Sequence, residues 1–354
     1  MRHLIRIGRI GMAAAGMGLG AALAATPGVA SADPSSDPYA LIDQSLSGLA
    51  VPAATASPMD MQISISGVDL FPTTGNTATA TATLGSVAVA IGDGSHANAS
   101  GGFFDAAIAD GTDSNAGAGL AGNFDVAIAN GANSNAGAGV DGNFAIAIAN
   151  GANSDAGAGV GSNFDIATAD GDASKAVVGI SGGLDIATAD GANSSANAGL
   201  GHLNDATALG AGSDATAAGN FDTAFTNGAG SDASAGGGSA DLALANGAGL
   251  DAIATGNSDT ATASGTNAEA EAVGIGDIAT VLNTGSAYDQ AIAGGSSASF
   301  SDNNLATIIG TGSTAFAGAD NTTVGDWNLA AVFGDLQHAV ATGGNYLLDI
   351  LPSL

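Results

Sequence analysis

A chain of 354 residues with 33 acidic side chains against four lysines and arginines argues against nucleic acid as a partner, because phosphate contact needs clustered basic residues. The lack of cysteine excludes disulfide stapling and lipid attachment at a cysteine. Its 57 glycines and 7 prolines are enriched, yet a strict internal repeat argues against structureless low complexity.

Residues 1–32 place Arg2, Arg6 and Arg9 before an apolar stretch and end in the A-x-A site Ala30-Ser31-Ala32. This predicts a secretory signal peptide cleaved after Ala32, and so a protein of the medium or cell envelope. Small residues and Pro27-Gly28 interrupt the apolar stretch, which makes a membrane anchor the poorer reading; no transmembrane segment is expected in the mature chain. Cleavage leaves 33 acids against Lys175 alone, which disfavours anionic lipid surfaces as well.

Residues 33–83 read as an N-terminal linker and capping segment. In DPYALIDQSLSGL, Asp37 caps a short helix, Pro38 starts it, and Tyr39, Ile42, Leu46 and Leu49 share one face. A strand at MQISISG is expected to follow and cover the first coil. TATATAT, from Thr77 to Thr83, is similar to the threonine rows of ice-binding solenoids, but those rows are not kept: Thr168 and Thr188 are matched by Ile128 and Ile148.

Residues 84–320 are a repeat array, in which DVAIANGANSNAGAGVDGNF is followed by AIAIANGANSDAGAGVGSNF. Asp105, Asp125, Asp165, Asp185 and Asp205 fall on one twenty-residue grid with Ala145 in the vacant place, and Asp222, Asp241, Asp259 and Asp277 continue it at slightly shorter spacing. A fixed period of this length marks a solenoid. A helix would lose about 1 kcal/mol at each interior glycine such as Gly137 and Gly139, so strands win. Phe124, Val126, Ile128, Ser134, Ala136, Ala138 and Val140 alternate with Asp125, Ala127, Ala129 and Gly137; the first set is expected to face the core and the second, with the Asp grid, to face out. Asn-Gly and Asp-Gly steps at 130–131, 150–151, 170–171, 190–191 and 227–228 are expected to supply positive-φ corners. The expected fold is all-β: a parallel β-solenoid (β-helix or β-roll) of about twelve coils, roughly 20 residues each, with a short N-terminal helix and strand cap and a hydrophobic C-terminal cap.

Asp110, Asn130, Asn150, Asp170 and Asp190 share a corner with inward parity, and read either as a buried ligand row or, more simply, as residues bonding their own turns. Beyond Asp205 the spacing becomes irregular, and parity is expected to reset at corners or bulges. Residues 321–354 gather Trp327, Phe333 and Tyr346 where the repeats stop, which suggests a cap; pairing of chains through the solenoid ends stays open.

Chemistry is sparse. His96, His202 and His338 are more than a hundred residues apart, too far in a stacked array for any two to share a metal or a triad. No G-x-S-x-G occurs, so no catalytic and no cofactor-binding residue is expected and the chain reads as a non-enzyme. Stacked outward carboxylates repel, and turn hydrogen bonds or calcium could offset this, making Asp105, Asp125, Asp165, Asp185 and Asp205 calcium candidates. The β-roll nonapeptide G-G-x-G-x-D-x-apolar-x is replaced here by DGTDSN and NGANSD.

The ASADP signal end, repeats of the type GNFDVAIANGANS and the terminal GGNYLLDILPSL resemble a group of mycobacterial secreted Ala/Gly/Asn-rich repeat proteins, loosely similar to PE-PGRS proteins but without the helical PE domain or dense Gly-Gly-Ala runs. That resemblance implies export and a surface or host-interaction role. SVAVAIGDGSHANA, Ser86 to Ala99, is similar to the head repeats of trimeric autotransporter adhesins. The leading expectation is a secreted, non-enzymatic, adhesin-like scaffold engaging host or envelope protein or glycan surfaces. The alternative is a calcium-dependent extracellular β-roll whose folding the ion switches.

Overall fold

The computed structural model describes residues 60–70, 75–161, 163–179, 181–294, 303–318, 327–342 and 348–351. The expected signal peptide, the helix over Asp37–Leu49 and Tyr346 lie outside them. Among the described residues there is no helix, and so none long and apolar enough to cross a membrane. The chain opens with strands β1 (Met61–Ile65), β2 (Val68–Asp69), β3 (Thr79–Ala82), β4 (Val87–Ile91) and β5 (His96–Ala99). From β4 onward, Ala106–Asp110, Val126–Asn130 and Ile146–Ala149 extend one sheet, called A; from β3 and β5, Asn115–Leu120, Asn135–Val140 and Asp155–Val160 extend a second, B. The strands within each stack pair in parallel, one step per coil, so the fold is the expected parallel β-solenoid.

Register fixes the coil length. Val126 pairs with Ile146 and Ile146 with Ile166, twenty residues on; Asp205 pairs with Thr223, eighteen on. The expected irregularity in the second half is absorbed in sheet B by register shifts at Ala198/Gly201, Ala218/Asn220 and Gly236/Ser239. Sheet A keeps its pairing through the same coils.

The N-terminal end is covered as MQISISG suggested. β1 runs antiparallel along β4, and its inward side chains reach the neighbouring sheet: Gln62 Oε1 accepts the amide of Ala80 at 2.8 Å and Ser64 Oγ that of Ala82 at 3.2 Å. Two edge amides of β3 are thereby satisfied by side chains, which blunts an edge open to another strand. At the other end the expected boundary at residue 320 is not where the pairing stops. Leu329–Phe333 and His338–Thr342 extend the two sheets in parallel, and Leu348–Leu351 adds a further strand.

The expected facing of the first strand is reversed. Ala127, Ala129 and Ala147 are completely buried, whereas Phe124 is 47% exposed and Val126 and Ile128 are only half-buried. Parity changes at the corner between sheets: Asp125, Ala127 and Ala129 point inward from sheet A, and Ser134, Ala136 and Ala138 from sheet B. The second set agrees with the alternation read from the sequence as far as Ala138, but Val140, expected in the core, is 40% exposed, because the strand's inward parity shifts at the buried Gly139. The physical reason for the reversal is interior thickness. Opposed alanine methyls fill most of the space between the sheets, and larger inward side chains enter these columns at a few coils only, as at Val178, Val281, Ile308 and Val332.

Corner chemistry meets the expectation in part: Gly131 (φ 148°) and Gly228 (φ 156°) have positive φ at their steps, and further positive-φ residues follow. Left-handed conformations fall two residues after the Asn-Gly or Asp-Gly step, at Asp113 (φ 53°), Asn133 (φ 55°), Asn153 (φ 59°), Ala173 (φ 55°) and Asn193 (φ 57°). Asparagine tolerates that region better than most residues. Glycine at 131 combines positive φ with a packing need, since a Cβ there would stand 2.4 Å from the carbonyl oxygen of Gly151 on the next coil.

Candidate interaction surface

The repeated Gly-Asn-Phe-Asp corner, where the chain enters sheet A, aligns three neighbouring residues into three ladders. The aspartates point inward. Asp105, Asp125, Asp165, Asp185, Asp222, Asp241, Asp259 and Asp277 are each at most 2% exposed, with Ala145 and Asn204 in the same column. Each Oδ1 receives a backbone amide from the following coil: Asp105 from Asp125 at 3.1 Å, Asp125 from Ala145 at 2.9 Å, Asp165 from Asp185 at 3.2 Å and Asp185 from Asn204 at 2.8 Å. Burial pushes the Asp125 and Asp185 carboxyls up to about 6, against the lowering effect of those accepted amides and with a further rise from Asp105 and Asp165 respectively.

The asparagines two places earlier are stitched along the rod. Asn123 Nδ2 donates to Asn143 Oδ1, and Asn143 Nδ2 to Asn163 Oδ1, both at 3.0 Å. Between these two rows stand the aromatic rings. Phe104, Phe124, Phe144 and Phe164 stack with centroids 4.9–5.2 Å apart and planes within 16° of parallel. All four hold φ between 62° and 66°, a conformation uncommon for bulky residues. All four are at least 44% exposed, so the stack presents a ridge of ring edges to solvent. Leu184, Leu203 and Phe221 prolong the ridge in the same conformation.

Beside the ridge, the outer face of sheet B forms a shallow trough. Its floor is Gly117, Gly137 and Gly157, where an added Cβ would meet nothing within 4 Å, and Val140 and Val160 form the side nearer the ridge. The opposite side is a hydrogen-bonded row, Asn115 to Asn135 at 3.2 Å and Asn135 to Asp155 at 3.0 Å. Ridge and trough together make a charge-poor, partly apolar strip, with Asp155 on its edge, on a strongly acidic chain. A contiguous apolar feature of this kind is the usual mark of an interaction surface.

The residues singled out from the sequence fall as follows. Asp105, Asp125, Asp165 and Asp185 are buried and not outward as expected, because the amide ladder compensates them inside. Asp205 is outside the column: Asn204 takes its place, and Asp205 is half-buried on the outer face, accepting a hydrogen bond from Thr207 at 3.1 Å. Calcium takes six to eight oxygen ligands. The column supplies one carboxylate per coil with Oδ1 already engaged, and among the described residues no three acidic, histidine or cysteine side chains are grouped to hold a metal. Asp110, Asn130 and Asp190 are exposed, and Asn150 and Asp170 half-buried, so they form no buried row. Their turns are closed by serines, Ser134 Oγ donating to the Gly131 carbonyl at 3.0 Å and Ser174 Oγ to that of Gly171 at 2.8 Å. His96, His202 and His338 are strand residues rather than loop residues; His96 bonds Thr79 and His338 bonds Thr314 through their hydroxyls.

The exposed phenylalanine ridge was legible only indirectly. The inward alanines recur at nearly every coil, whereas the neighbouring places change freely among Val, Ile, Thr and Asp, as at Val126, Ile166, Asp205 and Thr223. Constancy within the repeat marks the tight interior, and size alone does not. No family model, curated protein or solved structure matches the chain.

Proposed function

We propose that the chain is a secreted, non-enzymatic repeat protein that works as an extracellular or cell-surface interaction scaffold, adhesin-like in use, through the phenylalanine ridge and the glycine-floored trough. The observation that supports this reading is the stack of Phe104, Phe124, Phe144 and Phe164: four large apolar side chains kept outside, in a backbone conformation that costs each of them about 1–2 kcal/mol. Backbone strain repeated at a solvent-facing row points to use of that row. The acidic remainder keeps such a rod dispersed and repels anionic surfaces, which favours neutral glycans and uncharged or basic protein faces as partners.

The test is a binding screen of the secreted protein against matrix proteins and envelope glycans, run beside F104S/F124S/F144S/F164S. Capture of a defined partner by the native protein, lost in a variant with an unchanged β-type circular dichroism spectrum, supports the proposal. Equal capture by both proteins, or capture of nothing in the panel, sinks it.

A further inference from the structure

The aspartate column contains its own internal comparison. Asn204 occupies the place held by Asp185 one coil before and Asp222 one coil after. Its Oδ1 accepts the amide of Asp222 at 3.2 Å, and its Nδ2 donates to the carbonyl of Gly219 on the following coil at 3.0 Å. Where Asn204 has Nδ2, the aspartates have Oδ2, and the wall they face is the same. A methyl group built on Gly201 would meet both the Gly219 oxygen and Asn204 Nδ2. Built on Gly102, Gly122, Gly182 or Gly219, it would meet the carbonyl oxygen of Gly122, Gly142, Gly201 or Gly238 together with Oδ2 of Asp105, Asp125, Asp185 or Asp222. None of these four Oδ2 atoms has a hydrogen-bond partner, and all four residues are at most 2% exposed. A carbonyl oxygen and an ionised carboxylate oxygen are both acceptors, so the pair lacks the donor that Asn204 supplies in its own niche. The amides of Phe124, Gly183 and Ala240 act on Asp105, Asp185 and Asp222 without giving Oδ2 a hydrogen bond, whereas at the matching place Asp259 Oδ2 accepts the Gly274 amide at 3.1 Å. Leaving such groups buried and unpaired is costly.

We propose that Asp105, Asp125, Asp185 and Asp222 are held as neutral carboxyl groups in the folded solenoid, each donating its Oδ2 hydrogen to the facing glycine carbonyl as Asn204 donates from Nδ2. The corner is then a proton-operated lock, closed in mildly acidic surroundings and loosened when the protons leave. The protons come from solvent during folding and return to it on opening, with no other bond made or broken. This inference is independent of what the ridge binds.

The groups facing the column agree with this. Above and below lie other column carboxylates, Asp105 against Asp125, Asp165 against Asp185, and Asp222 and Asp259 against Asp241. Inward from them are alanines and serines. The basic group that acts on the column is His202 beside Asp185, while Lys175 is on the outer row of sheet B between Asp155 and Ser195. Burial raises all four carboxyls from the ordinary 3.8, Asp125 and Asp185 to about 6. Since the folded pKa exceeds the unfolded one, the native state binds more protons, and the stabilisation is complete below the ordinary value and lost as pH rises through about 6.

The experiment compares the full chain, D105N/D125N/D185N/D222N, and a charge-matched control altered at exposed acids, D110N/D141N/D190N/D214N. Melting is followed from about pH 4.5 to about pH 7.5, together with the infrared carbonyl stretch of protonated carboxyl groups. The native protein and the control are expected to lose several degrees across this range. The column variant is expected to melt at a nearly constant temperature and above the native protein at the neutral end. The native protein is expected to show the protonated-carboxyl band on the acidic side and to lose it towards neutrality. A native band absent throughout, or a column variant with the same pH slope as the control, overturns the proposal. So does restoration of the neutral-pH melting temperature by added calcium, which would assign the niche to a cation. Should the column variant fail to fold, the infrared titration of the native protein decides alone.

Discussion

Asp125 accepts the backbone amide of Ala145, twenty residues further along the chain, at 2.9 Å from its Oδ1. Ala145 brings no side-chain oxygen to hand the bond on, although it is as deeply buried as the aspartates on either side. Ala145→Asn should fill this one gap, with an Oδ1 for the coil above and an Nδ2 placed as in Asn204. One added buried hydrogen bond contributes about 1 kcal/mol, or roughly 1–2 °C in a chain of this size. A lower melting temperature would show that the alanine is required by packing.

Two glycines of one strand should respond oppositely to alanine. Gly139 has φ 70°, and a Cβ there would lie 2.0 Å from Asp125 Oδ2; Gly137, two residues earlier, has open space around the same position. Gly139→Ala is expected to cost more than about 2 kcal/mol through strain and collision. Gly137→Ala should be neutral or raise stability by about 0.4–1 kcal/mol, by restricting the unfolded chain. Urea midpoints of the two variants check this, and equal values would contradict the corner geometry.

The fold was legible in the sequence because it is written in repetition: the return of NGANS and GNF at twenty residues fixes the stacking, and alternation fixes the strands. Which face is inside was not legible from size. Phe124, Val126 and Ile128 have the side chains that normally seek a core, but the interior between these coils is narrow and lined by alanine methyls, so Ala127 and Ala129 take it. From the sequence alone the Asp grid is expected outside, because isolated buried charge is expensive. What the sequence did not display is the amide supplied by the next coil, a partner that exists only once the coils stack. The same holds for the phenylalanine ridge, whose ring contacts join residues twenty apart.

The ridge itself should be nearly dispensable for folding. Phe124→Asn relieves a left-handed conformation that costs a bulky residue about 1–2 kcal/mol, and it removes two ring contacts worth about 0.5–1.5 kcal/mol each. These nearly cancel, so the melting temperature should move by no more than a few degrees. A loss comparable to a core substitution would mean the stack holds the coils together, and would remove the reason for reading it as a surface kept for binding.

The inside-out first strand, with alanine inward and phenylalanine outward, is directly measurable because the chain has no native cysteine. Single-cysteine variants at Phe124, Ala127, Ile128 and Ala129 can be treated with a thiol reagent under native conditions and again after unfolding. Labelling is expected to be prompt at 124 and 128, with protection at 127 and 129 until the chain unfolds. Prompt labelling at 127 and 129 with protection at 124 and 128 would place the phenylalanines in the core and contradict this arrangement.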